Sequence, residues 1–388
     1  MSSQTACRQR ADGRSVLLPR RRLLQAASLL AGGSLLGCTP RGPVKIGFLG
    51  GMSGRVADLG IEGRDGARLA VDEVNARGGV NGRPIELLVQ DDEHDKAVAR
   101  RRLTELHDAG VQFVVGPMTS AMATVAAPLA DARRVPLVSP TATTDELSGL
   151  DDMFFRVVPD APTGARQQAA YLLRHGLRSL VTLTDLTNRA FARSWTQAAQ
   201  QEFTAHGGSV LGSVEFEAAP GLKYTELAGQ LAAARPQALV LAASAADCAL
   251  LVQQVRRLDR DVTIALSPWA GTEGFPQMGG RALEGAIVAQ YFDRDNRDPD
   301  YTGFVERFAA RYGKKPGYPG VNAFDATLLG LDAVRRAEST GGVAAALAAM
   351  RSFKGLQRQV DLDAFGDSHA PMFLTEVRDG AFVSLKDA

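Results

Sequence analysis

Cysteine is scarce in this sequence, with three in 388 residues: Cys7, Cys38 and Cys248. The first two fall in an N-terminal segment of distinct composition, so the body keeps one thiol and no internal disulfide framework; packing must hold it together. Histidine is equally thin. His94, His107, His175, His206 and His369 stand in no HExxH or other metal-ligand spacing. There is no G-x-S-x-G nucleophile elbow and no G-x-x-x-x-G-K-[ST] phosphate loop, and the glycines at 47, 50, 51 and 54 miss the G-x-G-x-x-G spacing of a dinucleotide site. The sequence therefore offers no catalytic residue, metal ligand or cofactor, and is read as a non-enzyme. The body also lacks a basic run. The net charge is +1, but residues 1–37 hold six arginines against one aspartate, which leaves the body at −4, with no reason to expect nucleic acid as a partner.

The N-terminus explains that asymmetry. Arg20-Arg21-Arg22 precedes an uncharged stretch rich in Leu and Ala, Leu23–Leu36. It is too short for a comfortable membrane span and suits the apolar core of a signal peptide. Leu35-Leu36-Gly37-Cys38 resembles a bacterial lipobox, in which the Cys thiol accepts the lipid, and Arg20 to Gln25 resembles a twin-arginine export signal. The expectation is a signal peptide over 1–37 and a lipidated linker over 38–43. Lipid on Cys38 would anchor an exported protein at the cell envelope.

From Val44 onward, strand and helix patterns alternate. Strands are expected at Val44–Leu49, Pro84–Gln90, Val111–Val115 and Pro136–Ser139, with helices at Gly60–Arg77, Asp95–Ala109 and Ser120–Arg133 between them. Arg77-Gly78-Gly79 ends the first helix, because glycine takes the left-handed conformation of a helix C-terminus, and Asn81-Gly82 signals a turn. The pattern restarts with helix Thr163–Arg174 and runs through strands at Ser179–Leu183, Ser209–Phe216, Ala238–Leu241 and Val262–Leu266. Continuous apolar strands alternating with helices describe parallel sheets covered on both faces. Two such halves predict two lobes. The tail has helices at Asp298–Arg311, Val321–Arg336 and Val343–Met350, then strands at Gln357–Leu362 and Met372–Arg378.

In open parallel sheets ligands bind beyond the carboxyl ends of the strands, where helix N-termini offer free N–H groups. That rule selects three loops: Gly116-Pro117-Met118-Thr119-Ser120, Ser139 to Thr144, and Ser267-Pro268-Trp269-Ala270. Their hydroxyls serve equally well as helix caps, so capping and ligand contact both stand as readings. The acidic run Asp91 to Asp95 lies where a strand gives way to a helix, and capping explains it more simply than a metal does.

Taken in order, these loops resemble the Leu/Ile/Val-binding family of ABC-transporter solute receptors. The resemblance is carried by Val44 to Leu49, Gly66 to Gly82 and Ser139 to Leu147, and it extends from about Val44 to the C-terminus. It implies the type I periplasmic-binding fold: two Rossmann-like lobes with parallel sheets flanked by helices, joined by three hinge crossings. Those crossings would fall near Val157–Asp160, Ala289–Phe292 and Gly355–Leu362. Lobe one would combine 44–158 with 292–355, and lobe two 159–291 with 356–388.

The resemblance also implies roles for individual residues. Ser120, helped by N–H groups at Thr119 and the helix start, would meet a ligand carboxylate. Thr141, Ala142 and Thr143 would offer a carbonyl and a hydroxyl to an ammonium and an N–H to the carboxylate. The sequence departs from the family elsewhere. Trp269 stands where amino-acid binders carry the acid that pairs with the ammonium, Arg189 and Ala245 where aromatic residues lie, and Leu59 in place of a rim Tyr. Glu273 and Asp247 are acids near, but not at, the matching position. An α-amino group buried without that acid is poorly compensated. The expected ligand is a small amino-acid-like or carboxylate molecule whose apolar or aromatic body stacks on Trp269; the alternative is that Trp269 only packs lobe two.

The function implied is an extracytoplasmic receptor that closes on its ligand by hinge motion and presents it to the membrane subunits of an ABC importer. A sensory receptor for a membrane regulator is the alternative on the same fold. An enzyme on this scaffold is disfavoured by the absent constellations.

Overall fold

The computed structural model describes residues 42–386; the signal segment and Cys38 lie outside the described residues. Alternation along β1 (Val44–Gly50) shows how the first sheet is buried on both faces. Ile46 and Phe48 enter one apolar cluster, Leu49 enters another, and Gly47 abuts Leu106. Four more strands join it in the order β2-β1-β3-β4-β5, all parallel: β2 (Ile85–Asp91), β3 (Val114–Val115), β4 (Leu137–Ser139) and β5 (Phe154–Arg156). Helix α1 (Ala57–Ala76) covers the Phe48 face. Helices α2 (Lys96–Asp108) and α3 (Ser120–Arg133) cover the other.

After β5 the chain passes to α4 (Ala161–Arg174) and a second sheet. It runs through β6 (Ser179–Asp185), α5 (Arg189–Ala205), β7 (Ser209–Phe216), α6 (Tyr224–Ala232), β8 (Ala238–Ala242), α7 (Ala245–Leu258), β9 (Thr263–Leu266), the short α8 (Phe275–Gly279) and β10 (Ile287–Gln290). Those five strands are parallel, in the order β10-β9-β8-β6-β7.

From β10 the chain returns to the first sheet. Helix α9 (Pro299–Tyr312) and the long α10 (Tyr318–Thr340) pack on α1, and α11 (Val343–Ala349) packs on α10. A hairpin of β11 (Ser352–Lys354) and β12 (Gln359–Asp361) comes next. Finally β13 (Phe373–Arg378) and β14 (Ala381–Ser384) extend the second sheet antiparallel beyond β10. The fold is thus α/β with two Rossmann-like lobes and three crossings. The third crossing lies later than the expected 355–362. Asp367 still pairs with Arg156 at 2.8 Å and accepts the Gly149 N–H, so the chain leaves lobe one only after it. The expected 355/356 boundary would also split the hairpin, whose two strands bond to each other. Among the described residues no helix is long and apolar enough to cross a membrane, and no group of three His, Cys, Asp or Glu could hold a metal ion.

Candidate functional site

The carboxyl ends of both parallel sheets face the gap between the lobes, and the loops there line a small inner cavity. Lobe one supplies Leu59 from α1, Met118 and Thr119 ahead of α3, Ser120 at its first turn, Thr141 after β4, and Tyr318 at the start of α10. Lobe two supplies Asn188, Phe191 and Trp269, while Tyr291 stands on the crossing after β10. One wall is aromatic: Phe191 meets Trp269 edge-on at 6.0 Å, and Tyr291 meets Tyr318 at 5.8 Å. Burial pushes both tyrosine phenols up, so they face the cavity uncharged.

The opposite wall is a set of hydrogen-bond donors. Ser120 Oγ accepts the N–H groups of Thr143 (3.0 Å) and Thr144 (3.1 Å), which engages its lone pairs and leaves its own proton to donate. The backbone N–H groups of Ser120 and Thr141 meet no acceptor among the described residues. The Thr141 hydroxyl donates to the Met118 carbonyl at 2.5 Å, tying the two loops together. Behind them Arg156, 1% exposed, donates to the Thr144 carbonyl (2.9 Å) and to Ser148 Oγ (2.5 Å) while paired with Asp367. Its charge locks the 141–148 loop without reaching the cavity. Free N–H groups at the start of α3, with the helix dipole behind them, favour an anionic or acceptor group there.

Five expected residues therefore come together on the cavity: Leu59, Thr119, Ser120, Thr141 and Trp269. Ala142 and Thr143 do not line it. The Ala142 N–H is held by Ser139 Oγ, and its methyl packs in the core under α3. Thr143 has its N–H on Ser120 Oγ, its hydroxyl bonded by Tyr291 at 3.2 Å, and its carbonyl accepting the Ala161 N–H at 2.7 Å. It supports Ser120. Arg189 is exposed at the start of α5; Asn188 and Phe191, on either side of it, are the residues that reach the cavity. An aromatic group is thus present on this wall after all. Asn188, Phe191, Tyr291 and Tyr318 went unread from sequence, and Met118 was named there only as part of its loop. Ala245 is buried in the core beneath α7 and away from the cavity lining.

No carboxylate lines the inner cavity. Asp247 is committed to Arg55, Tyr224 and Ser244, and Glu273 to Arg294 at 2.6 Å. An outer chamber is bordered by Arg55, His94, Asp185 and Asp247. Trp269 lines both spaces. Burial raises Asp185 to about 6 and lowers His94.

Comparison with known proteins agrees with this architecture. A periplasmic binding protein family model matches residues 43–381. A Leu/Ile/Val-binding protein of Rhizobium johnstonii is 24% identical over 328 residues, covering 84% of this chain and 88% of that one. Among solved structures, a solute-binding protein of an ABC transporter from R. palustris in complex with benzoate superposes with a TM-score of 0.80. It is 22% identical, and the match covers 89% of this chain and 96% of that one. The branched-chain amino acid transporter substrate-binding protein of Streptococcus pneumoniae, in complex with isoleucine, gives 0.79 at 24% identity, covering 88% and 100%. With a family model spanning nearly the whole described body, this chain belongs to the periplasmic binding protein family.

Proposed function

We propose that this protein is an extracytoplasmic receptor that captures a small monocarboxylate with an apolar or aromatic body, carrying no α-ammonium, and delivers it to the membrane subunits of an ABC importer. One observation carries the reading: the inner cavity sets the donors of Ser120 and the α3 start against Phe191, Trp269, Tyr291 and Tyr318, with no carboxylate on its lining. An acid group is matched by the donors, and a ring or branched chain by the aromatic wall. An ammonium would be desolvated there without a counter-charge, which costs several kcal/mol in a closed site. Capture works by closure of one lobe on the other around the three crossings between them. Lipid on Cys38, read from Leu35-Leu36-Gly37-Cys38, holds the receptor at the membrane; Cys38→Ala should release the protein from the membrane fraction.

Thermal unfolding against benzoate, 4-methylpentanoate and L-leucine tests the ligand class. A molecule that binds only the folded state stabilises it by mass action, by about 2.7 kcal/mol at a hundred times Kd. The expected result is a higher Tm with one or both acids and none with leucine. A rise with leucine alone would overturn the assignment of Trp269 and of the acid-free lining.

A further inference from the structure

We infer that Asn188 is the ligand-positioning residue contributed by the second lobe: its Oδ1 registers closure, and its Nδ2 donates to the acid group of the captured solute. This rests on the inner cavity being the solute site.

Asn188 is 3% exposed and lines the cavity. Its Oδ1 accepts the backbone N–H of Ala121 at 2.9 Å in a buried bond between the two lobes. Ala121 lies in the first turn of α3, where N–H groups have no intrahelical carbonyl to take them. A lobe-two side chain therefore occupies one of the anchor helix's open donors and leaves the Ser120 N–H beside it. The carboxamide is planar, so fixing Oδ1 on Ala121 fixes the opposite prong as well. Among the described residues no acceptor meets Nδ2. Asn188 lines the cavity, so that prong is available to a ligand oxygen there.

The side-chain type fits both tasks at once. A carboxylate at position 188 would accept the Ala121 N–H equally well but set a negative charge against the solute's acid, and a leucine of similar size would do neither. A carboxamide accepts with one prong and donates with the other. The donor prong also discriminates. A carboxylate finds a partner in it, whereas an ammonium finds another donor. Asn188 thus extends the selection made by the acid-free lining.

Isothermal titration of wild type, Asn188→Asp and Asn188→Leu with benzoate and L-leucine, at pH 5 and pH 8, tests this. A lost hydrogen bond to a charged group corresponds to a tenfold or greater change. Asn188→Asp should weaken benzoate at least tenfold at pH 8 and recover part of that loss at pH 5, as the introduced carboxyl takes up a proton. Asn188→Leu should weaken benzoate by a similar factor at both pH values. Benzoate binding by Asn188→Asp within twofold of wild type at pH 8 would overturn the donor role. Should wild type bind leucine and not benzoate, the carboxylate reading falls by itself. The donor role is then judged on leucine, where an undiminished affinity in Asn188→Leu overturns it. Hydrogen exchange of the Ala121 amide in ligand-free protein gives a check that needs no ligand. Protection should persist in Asn188→Asp and drop in Asn188→Leu; equal protection in wild type and Asn188→Leu overturns the closure role.

Discussion

Arg55 of lobe one is ion-paired with Asp247 of lobe two across the mouth of the cleft. Arg55 sits in the turn after β1 and also reaches the Tyr224 hydroxyl (3.0 Å) and the Ala219 carbonyl (3.3 Å). Asp247, 1% exposed, takes further hydrogen bonds from Tyr224 (2.5 Å) and Ser244 (2.6 Å) within its own lobe. The acid is therefore held in place whether or not Arg55 arrives, and the pair forms only when the lobes meet. Arg55 is 39% exposed on its side chain, so the contact is worth about 1 kcal/mol after solvent screening. Arg55→Ala should speed dissociation of the bound acid about fivefold with little change in its association rate. It should also enlarge the radius of gyration of the ligand-free protein in small-angle scattering. Unchanged dissociation and an unchanged radius would remove the pair from the closing mechanism.

Glu62 gives the fold a pH dependence with a definite sign. It is buried on α1, accepts the N–H groups of Gly317 (2.7 Å) and Gly320 (3.3 Å), and has Lys314 and Glu273 nearby. Burial raises it from 4.5 to about 7. Between those values the folded state holds a proton that the unfolded chain has released. Its contribution to stability therefore falls as pH rises through that window and levels off above it. Glu62→Gln keeps an acceptor for both glycine N–H groups and removes the titration. Urea unfolding from pH 5 to pH 8 should show a steeper loss of stability in wild type than in the variant, and parallel slopes would contradict the assignment.

Helix α1 meets α10 at a point where position 66 has no room for a side chain. A methyl on Gly66 would stand 2.1 Å from the Gly320 carbonyl oxygen. Gly66→Ala gains helix propensity, about 1 kcal/mol at most, but forces two packed backbones apart, which typically costs 1–3 kcal/mol. The net expectation is a loss of about 1–2 kcal/mol in urea unfolding. Ligand affinity should also fall, because the displaced helix carries Tyr318 on the cavity wall. A variant as stable as wild type would mean that α10 shifts freely.

Much of this was legible in the sequence because it is local. Gly47, Phe48 and Leu49 alternate within one strand, and Thr119 and Ser120 sit where a strand yields to a helix, so period and position suffice. The wall of lobe two was harder to read. Asp185 caps Thr187 and opens a short 3₁₀ turn before α5, and that turn decides that Asn188 and Phe191, not Arg189, face inward. Tyr291 and Tyr318 come from a crossing and from a helix far along the chain, so no window contains both them and Ser120. The β13–β14 hairpin did carry a local signal, Asp379-Gly380 with both φ positive, but strand alternation alone passes over it.

Ser120 and Trp269 make different demands on a solute, and their truncations should separate in kind. Ser120→Ala leaves the buried N–H groups of Thr143 and Thr144 without their acceptor, at about 1–3 kcal/mol each. It also removes a donor from the acid end. Tm should fall, and every acid should weaken by a similar factor, because the carboxylate is common to all. Trp269→Ala leaves the donors in place but removes a side chain that lines both the inner cavity and the outer chamber, giving a solute room toward the latter. Benzoate should then weaken while a longer acid such as 4-phenylbutanoate gains, so the ratio of the two affinities inverts or narrows about tenfold. If Trp269→Ala weakens both acids alike, as Ser120→Ala does, then the indole only packs lobe two, and the length of the solute is limited elsewhere.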